Sequence, residues 1–232
     1  MSKPETIILS LGGSLIVPNG GIDTDFLSSF NTFIRSQLSG SPKRFFIVCG
    51  GGGIARTYQK AARAVIGEIT DIDVDWLGIH ATRLNAHLMR TIFYDISYPV
   101  IIEDYERDYD IGESRVIVGA GWRPGCSTDY DGVRLATRFG AQKMINMSNV
   151  DMVYDQDPKI HPDAKPITQW TWQEYRKLAG DTWIPGMNVP FDPIASEEAQ
   201  EAGLTVVILN GKNLVNLGTA LDGKEFVGTT IT

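Results

Sequence analysis

The sequence predicts an α/β fold with a largely parallel sheet covered by helices on both faces. Short apolar segments typical of buried strands alternate with amphipathic helical segments along most of the 232 residues. Three of the strand-like segments run directly into glycine corners, at Gly12-Gly13, at residues 50–53 and at residues 119–121. Neither an internal repeat nor a low-complexity linker divides the chain, so we expect a single domain over residues 1–232.

Seven short apolar runs, each bounded by turn residues, predict strands. These runs lie at residues 6–11, 45–49, 100–102, 115–118, 143–147, 205–209 and 228–231. Apolar residues at helical spacing predict helices at residues 26–38, 54–65, 71–94 and 128–139. Signals at their starts predict two more helices, at residues 171–179 and 194–202. The segments 103–114 and 148–158 are polar and irregular, and we expect loops there, the first of them solvated.

Signals at helix starts support several of these helices. Three pairs of residues match a capping box, a variant of it, or a cap followed by proline. The pairs are Thr171 with Glu174, Thr128 with Asp131, and Asp192 with Pro193. Either Asp23 or Thr24 can cap the first helix. The apolar face of the helix at 54–65 is expected to consist of Tyr58, Ala61, Ala62 and Val65.

Composition and charge exclude several classes of protein. A net charge of −7 argues against a general nucleic-acid surface or a polybasic membrane surface. Cys49 and Cys126 are too few and too far apart for a disulfide framework or a cysteine metal site. No apolar run approaches the roughly 20 residues of a membrane helix, and the polar first residues do not resemble a secretory signal. We therefore expect a cytoplasmic protein with no membrane or nucleic-acid partner.

The glycine corners indicate an anion site. Glycine lets backbone N–H groups approach a ligand closely, and a helix N-terminus adds partial positive charge. Ligands of parallel α/β sheets bind at the carboxyl ends of strands, where all three corners lie, so the corners can converge on one crevice. A tight turn is the alternative, but four glycines in a row exceed what a turn needs. The motifs GxxxxGK[ST], GxGxxG, GxSxG and HExxH are absent, and the three histidines are scattered.

Six sequence blocks carry a resemblance to a known family. They are GGS at 12–14, GGGIAR at 51–56, DWLGIHATRLNA at 75–86, GWRPGCSTD at 121–129, SNVDMVYDQDP at 148–158 and DPIA at 192–195. In this order they resemble the amino-acid kinase family and, within it, the archaeal type of uridylate kinases. The resemblance implies a three-layer αβα sandwich, transfer of the γ-phosphate of ATP to UMP with Mg²⁺, and a homo-oligomer that is usually a hexamer.

By this resemblance the glycine corners separate two nucleotides. The expected ATP-binding residues are Gly12, Gly13, Ser14, Gly52, Arg56, Ser148, Asn149, Tyr154 and Asp157. The expected UMP-binding residues are Gly51, Asp75, Gly78, Trp122, Arg123, Pro124, Gly125, Cys126, Ser127 and Thr128. Asp75 suits the vicinal diol of a ribose, although it would also serve as a helix N-cap. Ser127 and Thr128 suit a phosphate at a helix start, although capping alone would also explain them.

Phosphoryl transfer depends on positioning and charge stabilisation, because the acceptor phosphate is itself the nucleophile. Many members of the family carry lysine where this chain has Ser10, although archaeal-type uridylate kinases also lack it. Arg56 and Lys212 are therefore the candidate catalytic cations, with Arg123 and Mg²⁺ as further sources of charge. Asp192 matches an aspartate that organises the catalytic cations, and it is an equally good N-cap. No metal ligand of the protein itself is predicted.

Alternative functions remain open at this stage. A kinase of the same fold could act on a carboxylate or on isopentenyl phosphate. The block PGxSTD favours a phosphate acceptor, and no histidine lies between Met1 and Ile79, where isopentenyl phosphate enzymes place one. A non-catalytic relative that binds a nucleotide or oxyanion is the alternative from a different class. Ser10, and Met152 in place of a glycine, keep that alternative open.

Overall fold

Nine strands are present in the computed structural model, which describes residues 4–19, 21–158, 160–180, 182 and 189–232. They are β1 (Glu5–Leu11), β2 (Lys43–Cys49), β3 (Val116–Gly119), β4 (Lys143–Ser148), β5 (Val153–Tyr154), β6 (Pro166–Ile167), β7 (Gln169–Trp170), β8 (Thr205–Asn210) and β9 (Thr229–Ile231).

Seven of these strands form one sheet in the order β3-β2-β1-β4-β8-β9-β7, while β5 and β6 pair separately as an antiparallel ribbon. Every pair in the large sheet is parallel except β8 with β9. In the register at the centre, Ile8 lies opposite Phe46 and Met144. The carboxyl ends of β1, β2, β3, β4 and β8 therefore meet at one edge of the sheet, where ligands of such sheets bind.

Eight helices accompany the sheet in the described part of the chain. They are α1 (Gly13–Ile16), α2 (Thr24–Gly40), α3 (Gly52–Ile66), α4 (Asp71–Ile92), α5 (Thr128–Phe139), α6 (Trp172–Ala179), α7 (Pro193–Glu201) and α8 (Leu214–Leu221). None of the helices among the described residues combines the length and the apolar character needed to cross a lipid bilayer.

Two hydrophobic clusters place helices on both faces of the sheet. In β1, Ile7 and Leu9 belong to one cluster and Ile8 to the other, because side chains alternate across a strand. The first cluster joins the sheet to α1, α2, α4 and α8, and the second joins it to α5, α6 and α7. α3 contacts the first cluster through Ile54 near its start and packs on α4 and α1. The molecule is a three-layer αβα sandwich with a mainly parallel sheet, so the predicted fold class is confirmed.

Two of the predicted helix caps are formed at α2 and α6. Asp23 caps α2, and its side chain accepts a hydrogen bond of 3.0 Å from the Phe26 N–H. At α6 the Thr171 hydroxyl accepts from the Glu174 N–H at 3.2 Å, while the Glu174 carboxylate accepts from the Thr171 N–H at 3.0 Å. These caps fix where both helices begin, as their sequences predict.

The cap of α7 is also confirmed, whereas that of α5 differs from the prediction. Asp192 caps α7, with Pro193 at the first helical position. At α5 the N-cap is Ser127 rather than Thr128. Asp131 does not complete a capping box there, because the residue three positions after the Ser127 cap is Tyr130. The Asp131 side chain is fully buried instead, with 0% exposure.

The residues predicted to form the apolar face of α3 do not form a buried face. Tyr58 and Val65 are 61% and 85% exposed, because α3 contacts the core at Ile54 near its start and its most extensive helix packing is on α4. On α4, Trp76 and Leu84 are likewise exposed although their spacing is apolar. Both helices therefore present apolar side chains at the surface.

Residues 100–114 also differ from the prediction. Instead of a strand at 100–102, the described residues there form a single parallel bridge from Ile102 to Gly119. The acidic segment 103–114 is not simply solvated, since Tyr105 and Ile111 are buried at 4% and 8% exposure. This segment packs against the sheet face that carries α5.

Candidate active site

The first two glycine corners are in direct backbone contact. A Cβ atom on Gly13 would lie 2.1 Å from the nitrogen of Gly52, and one on Gly50 would lie 2.5 Å from the nitrogen of Gly13. Gly52 has a φ of +62°, and a Cβ there would lie 2.1 Å from the carbonyl oxygen of Gly13. No other residue type fits these three positions without moving the backbone.

Hydrogen bonds to the surrounding backbone hold both corners in place. The N–H of Gly12 donates to the carbonyl of Met147 at the end of β4, at 3.0 Å. The N–H of Gly53 donates to the carbonyl of Val17, just after α1, at 2.7 Å. The start of α3 is therefore tied to the end of α1, and the start of α1 to the end of β4.

Helix α4 joins the second corner to the third. The buried Asn85 amide donates to the carbonyls of Gly50 and Gly51, at 2.8 and 3.2 Å. Three residues earlier on the same helix face, the Thr82 hydroxyl accepts from the N–H of Gly121 at 2.7 Å. The three corners thus lie together at the carboxyl ends of β1, β2 and β3.

The loop at residues 121–128, which follows the third corner, is fastened to α4. Oδ2 of Asp75 accepts a hydrogen bond of 2.8 Å from the N–H of Gly125, which has a φ of +85°. Nη2 and Nε of Arg83 donate to the carbonyls of Trp122 and Gly121, at 2.9 and 3.2 Å. Burial raises the pKa of the Asp75 carboxyl, and the Gly125 N–H lowers it in part.

Arg123 and Trp122 form the outer side of loop 121–128. The Arg123 guanidinium lies 3.9 Å from the Trp122 ring centroid, a cation–π contact, and its Nη1 lies 3.8 Å from Oε1 of Glu106. The Tyr105 ring meets the Trp122 ring edge-on, with centroids 6.0 Å apart. The segment 103–114 therefore braces the loop.

The rest of loop 121–128 leads into helix α5. Pro124 and Cys126 are half-buried. Burial raises the pKa of the Cys126 thiol, which keeps it protonated at neutral pH. The Ser127 hydroxyl accepts from the N–H of Tyr130 at 3.2 Å, and Thr128 is the first residue of the helix. Both residues therefore lie at a helix N-terminus, a position that favours anions.

Gly51 and Gly78 lie where α3 meets α4. A Cβ on Gly51 would lie 2.7 Å from the Cβ of Ala55 and 3.3 Å from the carbonyl oxygen of Gly78. A Cβ on Gly78 would lie 3.1 Å from the amide nitrogen of Gln59. The missing side chain of Gly78 thus makes room for a residue of α3, which lets the two helices pack closely.

Two carboxylates lie next to the first corner, close to the ends of β1 and β4. Oδ1 of Asp129 accepts hydrogen bonds from Ser10 Oγ and Asn146 Nδ2, both at 3.1 Å. Asp129 is half-buried. Burial, and then the charge of Asp192, raise the pKa of Asp129 to about 7. The site therefore holds a carboxyl group that changes charge near neutral pH.

Asp192 caps α7 with only one of its oxygens. Oδ1 accepts from the N–H of Ala195 at 2.7 Å, whereas Oδ2 has no hydrogen-bond partner among the described residues. Burial raises the pKa of Asp192, whereas the Ala195 N–H and the Ser127 hydroxyl lower it. The Ser127 hydroxyl is nearby but does not meet hydrogen-bond geometry with Oδ2. Within the described residues, no cluster of three or more His, Cys, Asp or Glu side chains could hold a metal ion.

Arg56 lies beside the first corner, on the second turn of α3. Its Nη1 donates to Ser14 Oγ at 3.4 Å and its Nη2 to Asn19 Oδ1 at 3.2 Å. It lines an open cavity together with Asn19 and Lys60. The contacts described for the guanidinium are with neutral oxygens, which leaves its charge available to an anion.

Lys212, the second candidate cation, lies just after β8. Its Nζ lies 3.6 Å from Oδ2 of Asp23, and its side chain is 59% exposed. The Lys212 N–H donates to Oδ1 of Asn210, whose amide donates to Asp151 at 2.9 Å. The turn that carries Lys212 is therefore linked to the segment 148–158.

The segment 148–158 borders the crevice beside β4 and β8. It contains the short strand β5, so the prediction of a continuous loop is wrong in part. The Ser148 carbonyl accepts from the Gly211 N–H at 2.8 Å, and the Ser148 hydroxyl lies 3.5 Å from Oδ1 of Asn149. Tyr154 is half-buried, whereas Asp157 is exposed.

Four residues that hold the site together were not predicted from the sequence. They are Thr82, Asn85, Asp129 and Asn146. The first three lie inside the sequence blocks given above, and their place in those blocks could have identified them. Asn146 is a polar residue inside an otherwise apolar strand, which is the signal that could have identified it.

The chain is similar to a known protein family and to individual relatives over most of its length. The model of the "Amino acid kinase family" matches residues 5–210. A protein named uridylate kinase from Methanospirillum hungatei is 32% identical over 229 residues, covering 98% of this chain and 94% of the relative. One of the same name from Thermoplasma volcanium is 34% identical over 229 residues, covering 98% and 97%.

Solved structures show the same similarity. The crystal structure of uridylate kinase from Archaeoglobus fulgidus has a TM-score of 0.80 and 29% identity, covering 97% of this chain and 99% of that one. The structure of UMP kinase from Bacillus anthracis has a TM-score of 0.77 and covers 99% and 96%. At 18% identity, this second similarity supports the fold alone.

Proposed function

The chain belongs to the amino acid kinase family, and we propose that it transfers the γ-phosphate of ATP to UMP, giving ADP and UDP. The observation that carries this proposal is the backbone contact of Gly13 with Gly50 and Gly52. Two phosphate chains that react must come nearly into line, and a side chain at that point would hold them apart. Relatives named uridylate kinase, at 32% and 34% identity, support UMP as the acceptor.

On the donor side, backbone N–H groups of the first corner hold the ATP phosphates in this proposal. Bare backbone at a helix start suits a phosphate because the first N–H groups of a helix are unpaired and no side chain intervenes. The Gly12 N–H already donates to the Met147 carbonyl, so Gly13 and Ser14, at the start of α1, supply the N–H groups. Arg56 supplies a guanidinium beside them. The adenosine lies against segment 148–158, with the Tyr154 ring beside the adenine. The full donor set is Gly12, Gly13, Ser14, Gly52, Arg56, Ser148, Asn149, Tyr154 and Asp157.

On the acceptor side, Asp75 has two tasks in this proposal. Its Oδ2 already holds the N–H of Gly125, but a carboxylate has about four acceptor sites. It can therefore accept from the ribose hydroxyls of UMP while it keeps loop 121–128 in place. Ser127 and Thr128 hold the UMP phosphate at the start of α5. The remaining acceptor residues are Gly51, Gly78, Trp122, Arg123, Pro124, Gly125 and Cys126.

Negative charge on the transferring phosphoryl group must be balanced. Arg56 is the proposed protein cation nearest the first corner, with Lys212 as the second. Mg²⁺ binds phosphates together with waters and one or two carboxylates. Asp192, whose Oδ2 has no hydrogen-bond partner in the described part of the chain, fits that arrangement beside Asp129. When bound with ATP, Mg²⁺ would supply further charge stabilisation. Asp192 thus orients cations in this proposal and caps α7 with its other oxygen.

We also propose that the enzyme is a cytoplasmic homo-oligomer, a hexamer by family resemblance, and that residues 1–232 form one domain. Exposed apolar side chains on α3 and α4 support self-association, because several of them lie together on two packed helices. They are Tyr58, Val65, Ile66, Ile72, Trp76 and Leu84. The net charge of −7 disfavours nucleic acid as a partner.

The proposed function is tested by coupling ADP release to a spectroscopic assay with ATP–Mg²⁺. UMP, CMP, AMP, N-acetylglutamate and isopentenyl phosphate serve in turn as acceptors. We expect turnover that depends on UMP. Turnover with a carboxylate or isopentenyl phosphate instead would show that the acceptor is misassigned. ATP binding without any turnover would show a non-catalytic relative.

A further inference from the structure

Asp131, on the first turns of α5, is a buried carboxyl group that the proposed reaction does not use. Its exposure is 0%. Neither of its oxygens has a hydrogen-bond partner among the described residues. A buried polar group without a partner is rare in native proteins, because it loses its bonds to water and gains none in return. Such a group is therefore expected to have a role that offsets its cost to stability.

The groups around Asp131 belong mostly to loop 121–128 and its supports. Burial raises the pKa of Asp131 well above its usual value, as do the charges of Asp129 and Asp192. The Trp122 N–H and the charge of Arg83 act in the opposite direction. The Trp122 N–H is thus near the carboxyl group, although it does not meet hydrogen-bond geometry with either oxygen. Tyr105 and Cys126 also lie within reach of the Asp131 charge.

The neighbouring backbone groups of this loop are already bonded. The carbonyls of Gly121 and Trp122 accept from Arg83, and the Gly121 N–H is held by Thr82. The carbonyl of Ala120 accepts from the Tyr105 hydroxyl at 2.7 Å. Among the backbone N–H groups of residues 120–122, those of Ala120 and Gly121 donate hydrogen bonds, whereas no bond is described for that of Trp122. The Trp122 N–H lies close enough to Asp131 to lower the pKa of its carboxyl group.

We propose that Asp131 is a positioning residue for the acceptor nucleotide. Its carboxyl group accepts a hydrogen bond from the Trp122 N–H when UMP draws loop 121–128 inward. This role rests on the proposed function, because it assigns that loop to UMP. With Arg83 on the Gly121 carbonyl and Asp131 on the Trp122 N–H, the peptide group between Gly121 and Trp122 is then held on both sides. The bond forms only in the UMP complex, so it contributes to UMP affinity and not to ATP affinity.

Two substitutions of similar shape separate this role from a purely structural one. Asp131→Asn keeps an oxygen that can accept from Trp122, whereas Asp131→Leu removes it. We expect Asp131→Leu to raise the KM for UMP at least fivefold and to leave the KM for ATP within twofold. We expect Asp131→Asn to keep both KM values within twofold of the wild type. The melting temperature of Asp131→Leu should equal or exceed that of the wild type, because an unpartnered buried carboxyl group is removed.

Hydrogen exchange of the peptide containing residues 119–127 gives a readout besides activity. UMP should slow exchange there in the wild type and in Asp131→Asn, and less so in Asp131→Leu. If Asp131→Leu does not fold, Asp131→Ala replaces it with the same expectation. Equal KM values for UMP in all variants, or parallel rises for UMP and ATP, would overturn the role of Asp131 while the kinase function stands. A wild type that neither binds nor phosphorylates UMP would overturn both.

Discussion

Asp129 couples the protonation of one carboxyl group to the stability of the fold. Burial and the charge of Asp192 raise its pKa from 3.8 to about 7. An acid with a raised pKa holds its proton more tightly in the folded protein. Its stabilising contribution is therefore complete below the unfolded pKa and is lost as the pH rises through about 7.

We predict that Asp129→Asn flattens this dependence. Between about pH 5 and pH 7 the wild type should lose up to about 1.4 kcal/mol of unfolding free energy per pH unit beyond what the variant loses. Urea unfolding at a series of pH values measures the difference. Asp131 and Asp192 are present in both proteins, but the charge of Asp129 also raises the pKa of Asp131. The difference therefore reports the titration of Asp129 together with its effect on Asp131. Parallel curves would show that Asp129 keeps an ordinary pKa in the folded state.

Asp75 is the residue at which the acceptor pocket can be tested alone. We predict that Asp75→Ala raises the KM for UMP about tenfold or more, since hydrogen bonds to a charged group contribute roughly 1.5–3 kcal/mol. The KM for ATP should stay within about twofold, on the same argument that no ATP contact is lost. Steady-state kinetics with each substrate varied in turn gives both values. Asp71→Ala, one turn earlier on the same helix and exposed, is the matched control and should change neither. Equal effects on the two substrates would place Asp75 outside the acceptor pocket.

The environment of a single residue such as Asp129 could not be predicted from the sequence. Asp129 stands in a recognisable block, but its environment comes from Ser10 and Asn146, which lie 119 and 17 positions away in the chain. Its raised pKa depends on that assembled environment and on Asp192. Residue type and local spacing carry no information about such contacts. The identity of a site residue could therefore be predicted, whereas its protonation could not.

At the scale of elements, the contact between α1 and the start of α3 is what the glycine corners make possible. We predict that Gly13→Ala lowers kcat by about 100-fold, because a displacement of about 1 Å at reacting groups costs roughly that much. The added Cβ would lie 2.1 Å from the Gly52 nitrogen, so the two corners must separate. Gly40→Ala at the end of α2, where nothing lies within 4 Å of the new Cβ, is the control and should keep wild-type kcat. Normal turnover by Gly13→Ala would show that the close approach is not needed.

Helix α3 shows what periodicity can and cannot predict. The spacing of apolar residues indicated a helix at 54–65, and α3 is present there. Periodicity does not say what covers the apolar face, and Val65 remains 85% exposed. The four-residue helix α1 was not predicted, because it begins on Gly13 and glycine is a poor helix former. Strands β6 and β7, of two residues each, are too short to give an alternating pattern.

At the scale of the whole molecule, alternation of strands and helices was enough to predict the fold class. It could not predict the order of strands in the sheet, because that order depends on pairings between distant segments. Nor could it show that β9 runs antiparallel to β8, since a strand of three residues carries no sign of its direction. The parallel part of the sheet, which carries the site, is the part that helical crossovers specify.

The exposed surface of α3 bears on the assembly of the molecule. Val65 is 85% exposed there, and Tyr58 and Ile66 are exposed on the same helix. Exposed apolar residues are normal when they are scattered, whereas a group on one helix indicates an interaction surface. We predict that the wild type has a mass of at least twice the 25.6 kDa of one chain. We expect Val65→Asp to lower this mass by breaking the assembly into smaller ones. An unpaired carboxylate is costly to bury in an apolar interface.

Light scattering coupled to size-exclusion chromatography measures both masses. Val215→Asp is the matched control, because Val215 is 84% exposed but lies on α8. It makes the same chemical change on a different helix and should therefore keep the mass of the wild type. A wild type of 25.6 kDa would show that the chain does not self-associate under these conditions. Dissociation by both substitutions alike would mean that added charge, and not the surface of α3, controls assembly.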